Sequence, residues 1–501
     1  MSPESRVEAL RPESARRTCV AVIDIGSNSL RLVVYDGVRR AARMLLNEKV
    51  LCGLGRGLSD TGRLNAEGVE LARVNLQRFI ALARSIGVAR LDVLATAAVR
   101  DAADGPEFAA EIERRFGVRV RVLTGAEEGK LSAMGVLSGI PEATGIAGDL
   151  GGGSVELVPL AKGRAGAAAT LPIGPLRLQA IADDERRLKD AIDKGLASVP
   201  FLARVPDQSF YAVGGAWRAL ARLHMEQSQY PLHIVQAYTL PRIEAEKYLD
   251  LVARQSRRSL ERISTISKKR LEVVPLAARI LLRLLRRLEP KALVFSAGGL
   301  REGHLYSLLG ASEQRVDPLI AACTEESERN PRLAIMGDAL HAWTAPLFPK
   351  EPAPRQRLRR AAALLSDIAW SEHPDYRAEQ ATRHALYMPL YGISHVERAF
   401  LALALHARYG GRGGVELAAP LELLDEEGLA TARIAGLAFR LGYTISGGVP
   451  SLLSGVMLSL SDGALTLSFT QASAGRYGEA VERRLEALGR AMARRTEVRG
   501  V

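Results

Sequence analysis

Two short stretches of the chain share the pattern Asp-[Ile/Leu]-Gly-x-x-Ser, and both combine residue types that bind phosphate. The first stretch begins at Asp24 and the second at Asp149. Glycines let a ligand approach the backbone, clustered N–H groups in a turn attract anions, and carboxylates at strand ends can hold a divalent cation. The candidate phosphate-binding residues of the two stretches are Gly26, Ser27, Asn28, Ser29, Gly151, Gly152, Gly153 and Ser154. Either stretch alone is also compatible with a plain tight turn, but the matched pair predicts two loops that clamp one phosphate from both sides.

Arg100, Glu128 and Glu156 are further candidates, and each has a purely structural alternative. Arg100 lies near the start of a predicted helix, where a guanidinium beside free helix N–H groups favours an anion, although alone it resembles a surface arginine. Thr124 and Glu127 fit a capping box, which leaves Glu128 to point into a cleft and accept a proton from water, or else to lie on a solvated helix face. Glu156 follows the second loop on a strand, as a candidate ligand of a metal ion or of water, or else as an exposed strand residue.

The same predicted elements surround both loops. Apolar, β-rich runs at Cys19–Ile25 and Leu30–Tyr35 flank the first loop, and runs at Gly145–Leu150 and Val155–Leu160 flank the second. Strand, tight turn and strand therefore occur twice, which predicts an internal duplication of an α/β lobe. The two lobes would face each other with their loops in the gap. Two unrelated glycine turns are the alternative.

The rest of the chain completes a predicted division into five parts. Residues 1–17 form a loose polar arm, 18–138 the first lobe and 139–315 the second lobe. Residues 316–450 have the pattern of helices with few strand signals. Residues 451–501 form a small α+β end with a hairpin and a final helix.

Composition places the chain among globular proteins with an attraction for polyanions. It has 501 residues, of which 47% are hydrophobic, and 68 Lys and Arg against 56 Asp and Glu give a net charge of +12. Such a charge attracts nucleic acid, anionic membranes and polyphosphate alike. Aromatic residues are only 5%, which argues against a stacking surface for single-stranded nucleic acid. The chain lacks a long apolar run, a signal-peptide core and a CxxC motif, which favours a cytoplasmic protein without a membrane span.

Other well-known catalytic patterns are absent from the sequence. No GxxxxGK[ST] motif occurs, which disfavours a P-loop nucleoside triphosphatase. None of the eight histidines precedes an aspartate, and the evenly spaced His384, His395 and His406 are interpreted as packing or surface residues. The basic stretches 268–270 and 355–360 are typical of solvated helix faces, and would alternatively guide a long anionic chain.

Six motifs in order resemble those of the exopolyphosphatase / guanosine pentaphosphate phosphatase (Ppx/GppA) family. They are VIDIGSNSLRLVVYD, ATAAVRDA, LTGAEEGKL, GDLGGGSVEL, VGGAWRAL and SAGGLREG. The resemblance covers about residues 20–315 and continues more weakly to the C-terminus. It implies the duplicated ribonuclease-H-like lobes of the actin / sugar kinase / Hsp70 superfamily. It also implies a helical C-terminal domain like those of HD phosphohydrolases, here without the His-Asp pair, and a small α+β subdomain at the end.

The resemblance also implies roles for the candidate residues. Asp24, Asp149 and Glu156 would organise Mg²⁺ or Mn²⁺, the two glycine loops and Arg100 would bind phosphates, and Glu128 would activate the attacking water.

The resulting prediction is an exopolyphosphatase that releases orthophosphate from the end of inorganic polyphosphate. A guanosine pentaphosphate 5′-phosphohydrolase would use the same site, so guanosine penta- or tetraphosphate is a second expected ligand. Two further candidate functions are phosphotransfer to ADP or a sugar, and regulatory sensing through bound polyphosphate or alarmone. A homodimer without nucleic-acid or membrane partners is expected.

Overall fold

The computed structural model describes residues 18–500 except 200, 203, 256–272, 330–335, 412, 414 and 462. The predicted arm 1–17 and the basic stretch 268–270 lie outside the described residues. The chain up to Ser228 and Val235–Arg315 form one compact unit, and Gln229–Ile234 with Val316–Val501 form another. No helix of the described part is long and apolar enough to cross a membrane.

The first sheet carries the first glycine loop. Its strands are β1 (Val20–Ile25), β2 (Leu30–Tyr35), β3 (Met44–Val50), β4 (Arg90–Ala95) and β5 (Val120–Val122). The helices in this part of the chain are α1 (Leu58–Thr61), α2 (Ala66–Ile86), α3 (Ala97–Asp101), α4 (Gly105–Phe116) and α5 (Gly125–Gly139). The strand order is β3-β2-β1-β4-β5, with β1 antiparallel to β2 and parallel to β4. Both faces of β1 are buried, because Ala21 and Ile23 pack in one core and Val20 and Val22 in another.

The second sheet carries the second glycine loop. Its strands are β6 (Gly145–Leu150), β7 (Val155–Ala161), β8 (Arg164–Ala165), β9 (Ala169–Leu171), β10 (Ser209–Val213), β11 (Tyr238–Pro241) and β12 (Ala292–Phe295). The accompanying helices are α6 (Pro175–Leu178), α7 (Glu185–Ala197), α8 (Gly215–Gln227), α9 (Arg242–Ala253), α10 (Val274–Leu288), α11 (Leu300–Ser307) and α12 (Ala311–Gln314). The order is β11-β12-β10-β6-β7-β8, and β9 also pairs with β7.

The two sheets repeat one topology. In each, an antiparallel hairpin encloses the glycine loop, and its first strand then pairs in parallel with a later strand. Thus β6, β7 and β10 of the second sheet take the places that β1, β2 and β4 take in the first. The predicted duplication of an α/β lobe is confirmed.

Two helices cross where the sheets meet. Leu137 of α5 packs in the core of the second sheet, whereas Leu305 of α11 packs in a core of the first. The crossing is close enough to require glycine, because a Cβ atom on Gly303 would lie 1.7 Å from the carbonyl oxygen of Leu131. These helices therefore join the two lobes through backbone-to-backbone contact.

The second unit is mostly helical. Its helices are α13 (Pro318–Arg329), α14 (Met336–Thr344), α15 (Ala353–Leu364), α16 (Arg377–Tyr387), α17 (His395–Arg408), α18 (Val415–Leu421), α19 (Glu426–Ser446) and α20 (Glu479–Ala491). A small sheet consists of β13 (Val456–Ser461), β14 (Ala464–Phe469) and β15 (Arg495–Arg499). Phe400, Phe439 and Leu467 share one core, so this sheet packs with the helices. The helical domain and small terminal sheet expected from the sequence are confirmed. The boundaries at 138 and 450 stay predictions.

Candidate active site

The two glycine loops adopt the same turn and lie against each other. The Gly26 N–H donates to the Ser29 carbonyl at 3.0 Å, and the Gly151 N–H donates to the Ser154 carbonyl at 3.0 Å. A Cβ atom on Gly152 would lie 3.0 Å from Cβ of Ser27, so the absence of a side chain permits this approach. The structure thus brings both predicted loops to one cleft.

The first loop is also supported from behind. The N–H groups of Gly53 and Gly55 donate to the carbonyls of Asn28 and Ser27 at 3.1 and 2.8 Å. With these carbonyls occupied, the loop has a fixed backbone. Asn28 is exposed, whereas Ser27 is buried.

Glu128 occupies the position expected from the capping box. The Thr124 hydroxyl accepts from the Glu127 N–H at 3.2 Å, and the Glu127 carboxylate accepts from the Thr124 N–H at 2.9 Å. Glu128, next along α5, is only 7% exposed and accepts from Nη1 of Arg100 at 2.8 Å. The structure therefore brings together two predicted site residues that lie on different helices.

The surroundings of Glu128 tune its acidity. Burial raises the pKa of Glu128 to about 7; the hydrogen bond and charge of Arg100 oppose this rise, and the charges of Asp149 and Asp24 add to it. By contrast, the hydrogen bond from Arg121 lowers the pKa of the exposed Glu127 to about 2. A carboxyl group with a pKa near 7 is suited to proton transfer, because it ionises at the working pH of most enzymes.

Cross-strand partners distinguish the two hairpins. In the first hairpin Asp24 pairs with Arg31, and in the second Asp149 pairs with Glu156. The duplication thus retains an aspartate in both loops, but an arginine lies opposite Asp24 and a glutamate lies opposite Asp149.

Each predicted metal ligand has a different environment. Asp24 accepts from Nη1 of Arg301 at 2.8 Å, and Asp149 accepts a hydrogen bond from the Ser132 hydroxyl. Glu156 is 1% exposed and accepts from the Ser154 hydroxyl at 2.5 Å through Oε1, and its Oε2 has no hydrogen-bond partner among the described residues. Burial, with the nearby charge of Glu128, raises the pKa of Glu156 well above its ordinary value.

These residues fit a metal ion that is bound together with substrate. Among the described residues, no group of three or more His, Cys, Asp or Glu side chains converges to hold a metal ion. The predicted trio of Asp24, Asp149 and Glu156 therefore forms no ready-made coordination sphere. Mg²⁺ commonly takes only one or two carboxylates and completes its shell with substrate phosphates and water. The unpartnered Oε2 of Glu156 is a suitable donor for such an ion.

Sequence reasoning did not select three other side chains of the cleft. Arg31 and Arg218 contribute positive charge around Asp24 and Asp149, and Ser132 binds Asp149 directly. Burial, with the charges of Arg301 and Arg218, lowers the pKa of Arg31 to about 10. Ser132 follows Glu128 by one helical turn, and Arg31 follows Asp24 by the same spacing that separates Glu156 from Asp149. Both spacings could have been used as signals.

Arginines of the basic stretch 355–360 form ion pairs within the second unit. Arg357 pairs with Asp317, Arg359 with Glu351, and Arg360 with Asp338. Three of the four arginines in residues 355–360 are thus paired with carboxylates, and a role of this stretch in guiding an anionic chain stays a prediction. His395 and His406 are buried and bond to Tyr230 and Thr382, in keeping with a packing role.

Two family profiles match most of the chain. A profile described as "Ppx/GppA phosphatase family" matches residues 21–312, and one described as "Exopolyphosphatase, C-terminal" matches residues 320–498. The chain is similar to Retrograde regulation protein 2 of Saccharomyces cerevisiae, with 27% identity over 80% of this chain and 74% of that protein. It is also similar to a guanosine-5′-triphosphate,3′-diphosphate pyrophosphatase of Aeromonas salmonicida, with 24% identity over 83% of this chain and 84% of that protein.

Shorter relatives match a little more than half of the chain. Exopolyphosphatase 2 of Mycobacterium tuberculosis is 27% identical over 58% of this chain and 99% of its own length. The crystal structure of the Aquifex aeolicus member of the Ppx/GppA protein family has a TM-score of 0.50 and 28% identity, and covers 58% of this chain and 97% of that one. The chain thus shares its fold over this part with a solved structure of a Ppx/GppA protein, and the two sheets repeat one topology. Since the first profile spans more than half of the chain and includes both glycine loops and Glu128, the chain belongs to the Ppx/GppA phosphatase family.

Proposed function

We propose that this chain hydrolyses the terminal phosphoanhydride of inorganic polyphosphate and releases orthophosphate. The observation that carries the proposal is the position of Glu128, which is buried, bonded to Arg100 and has its pKa raised to about 7. A base of this kind, beside two loops with anion-binding backbones, suits the attack of water on phosphorus.

The chain supplies the groups that activate the water and bind the transferred phosphoryl group. Glu128 orients a water molecule and takes its proton as the water oxygen bonds to the terminal phosphorus. The bridging P–O bond then breaks, and the shortened chain leaves with the electron pair. N–H groups of the two loops and the guanidinium of Arg100 stabilise the negative charge on the transferred phosphoryl group. Glu156 and Asp149 would hold Mg²⁺, which would supply further charge neutralisation when bound.

Two features favour polyphosphate over guanosine pentaphosphate. The C-terminal profile that matches residues 320–498 is described by an exopolyphosphatase name, and the net charge of +12 suits a polymer with about one negative charge per phosphate. The similarity to the Aeromonas salmonicida pyrophosphatase over 83% of the chain keeps guanosine pentaphosphate as the second candidate. Both substrates would use the same loops and the same base.

The decisive experiment measures phosphate release from long polyphosphate, guanosine pentaphosphate and ATP in parallel, with Mg²⁺ present. We expect the highest kcat/KM for polyphosphate. Preference for guanosine pentaphosphate would establish the second candidate, and preference for ATP would reject both. Binding of polyphosphate without release from any substrate would indicate a sensor instead.

A further inference from the structure

A small cavity lies beside the glycine loops, and residues of both lobes line it. Its volume is about 170 Å³, and Ser27 of the first loop and Gly153 of the second form part of its wall. Asp101, Arg177 and Ser59 add polar groups to the lining. Such a volume equals that of roughly five to six water molecules in the liquid, so a phosphate group can occupy it.

An ion pair between the two lobes lies in the wall of this cavity. Nη2 of Arg177, on α6, donates to Oδ2 of Asp101, at the end of α3, at 2.5 Å. Neither side chain is deeply buried, with 38% of the Arg177 side chain and 28% of the Asp101 side chain exposed. An exposed pair of this kind contributes little to stability, so it can exchange partners readily.

The position of Arg177 is fixed relative to the second glycine loop. The N–H groups of Gly174 and Leu176 donate to the carbonyls of Gly153 and Gly152 at 3.2 and 2.9 Å. A phosphate held by that loop therefore lies next to the guanidinium, without rearrangement of the backbone.

Asp101 connects the cavity to the proposed base. Besides Arg177, it accepts from Nε of Arg100 at 3.1 Å, and Arg100 in turn donates to Glu128 at 2.8 Å. The charges thus alternate from Arg177 through Asp101 and Arg100 to Glu128. An anion that enters the cavity repels Asp101 and attracts Arg177. A guanidinium can donate to two oxygens of one phosphate, so Arg177 can exchange its bond to Asp101 for bonds to the phosphate.

We propose that Arg177 binds a phosphate of the substrate next to the terminal one, and that Asp101 is the partner it gives up for that phosphate. The inference rests on the proposed function and names a specificity-determining residue for it. Asp101 competes with this phosphate for Arg177. Arg177 therefore raises the affinity for the substrate, and Asp101 lowers it.

The test measures kcat and KM for tripolyphosphate in Arg177→Gln, Asp101→Asn and the double variant. Arg177→Gln should raise KM about tenfold, the effect of losing one charge-assisted hydrogen bond, with a much smaller change in kcat. Asp101→Asn should lower KM by up to about fivefold, because residue 101 then no longer competes with the phosphate for Arg177 through an exposed ion pair. The double variant should have the KM of Arg177→Gln, since without Arg177 there is nothing for Asp101 to compete for.

Controls separate recognition from structure. Arg78→Gln removes an exposed arginine that is paired with Glu48 and does not line the cavity, and it should leave KM unchanged. Arg177→Lys keeps the charge without the planar fork and should give an intermediate KM, which also serves if Arg177→Gln fails to fold.

Three results would overturn the inference: an unchanged KM in Arg177→Gln, a KM raised equally by both single variants, or an effect of Asp101→Asn that persists in the double variant. The second result would make the pair a simple latch between lobes, and the third would place the effect at Arg100. A wild-type chain that releases no phosphate from tripolyphosphate or longer chains would instead reject the proposed function itself.

Discussion

At the scale of single residues, the neighbouring glutamates Glu127 and Glu128 of one helix have different environments. Glu127 closes a capping box at the surface, and burial gives Glu128 a pKa of about 7. Their difference arises from the direction in which each points, because consecutive helical residues differ by about 100° around the axis. The pair therefore provides a catalytic candidate and its own matched control.

Glu128→Gln should reduce kcat for polyphosphate at least about 100-fold, because the amide cannot take the proton from water. Substrate binding, measured by calorimetry, should persist. Glu127→Gln keeps an acceptor for the Thr124 N–H, since a capping box also forms with glutamine, and should leave both the unfolding midpoint and turnover near the wild-type values. Near-normal turnover in Glu128→Gln would remove this residue from the reaction.

The pH dependence of kcat/KM should report the same group. A base acts in its ionised form, so activity should rise with pH through about 7. Arg100 lowers the pKa of Glu128, so Arg100→Gln should raise it and move this limb of the profile to higher pH by about one unit.

Arg121→Gln is the control for the pH experiment. It removes the arginine paired with Glu127 and should leave the profile in place. Equal profiles for Arg100→Gln and the wild-type chain would show that Glu128 is not the titrating base.

At the scale of elements, the crossing of α5 and α11 limits what the lobe junction tolerates. Gly303→Ala should lower the free energy of unfolding by about 3 kcal/mol or more, because its Cβ atom would lie 1.7 Å from the Leu131 carbonyl oxygen. Gly310→Ala, at a position with no atom within 4 Å, should be neutral or slightly stabilising. Urea unfolding followed by circular dichroism compares them, and equal stabilities would contradict the tight crossing.

Local patterns predicted those elements whose stabilising contacts are close in sequence. The two hairpins and the capping box at Thr124 were predictable, because strand, turn and cap signals lie within a few residues of each other. The strand Arg495–Arg499 was not predictable from local patterns. This charged segment becomes a strand only through parallel pairing with Ala464–Phe469, and such pairing leaves no local signal.

The same limit applies to the site. Sequence motifs identified the loops and Glu128, but the arginines that surround them come from distant segments. Arg301 meets Asp24 across 277 positions, and Arg177 meets Asp101 across 76. Only the folded arrangement of the two sheets brings these partners together.

At the scale of the whole molecule, the first unit contains every residue proposed for the site. A fragment ending at Arg315 should therefore release phosphate from tripolyphosphate within roughly tenfold of the full chain, a difference of about 1.4 kcal/mol in the barrier. The fragment lacks most of the second unit and therefore exposes Leu232, which is buried in the core of that unit. The fragment should be less stable than the full chain for this reason.

The control for the fragment is Glu128→Gln in the same fragment, which should be inactive. A fragment with native-like circular dichroism and no turnover would mean that residues beyond 315 contribute to the chemistry.

The unlike partners of Asp24 and Asp149 give the cleft a direction. Were Arg31 and Glu156 the same residue, a linear anion lying between the loops could be reversed without any change in its surroundings. With an arginine on one side and a glutamate on the other, the two orientations of a bound anion differ in energy. Because the two ends of a polyphosphate chain are identical, this asymmetry would decide which side of the cleft holds a chain end, not which end enters.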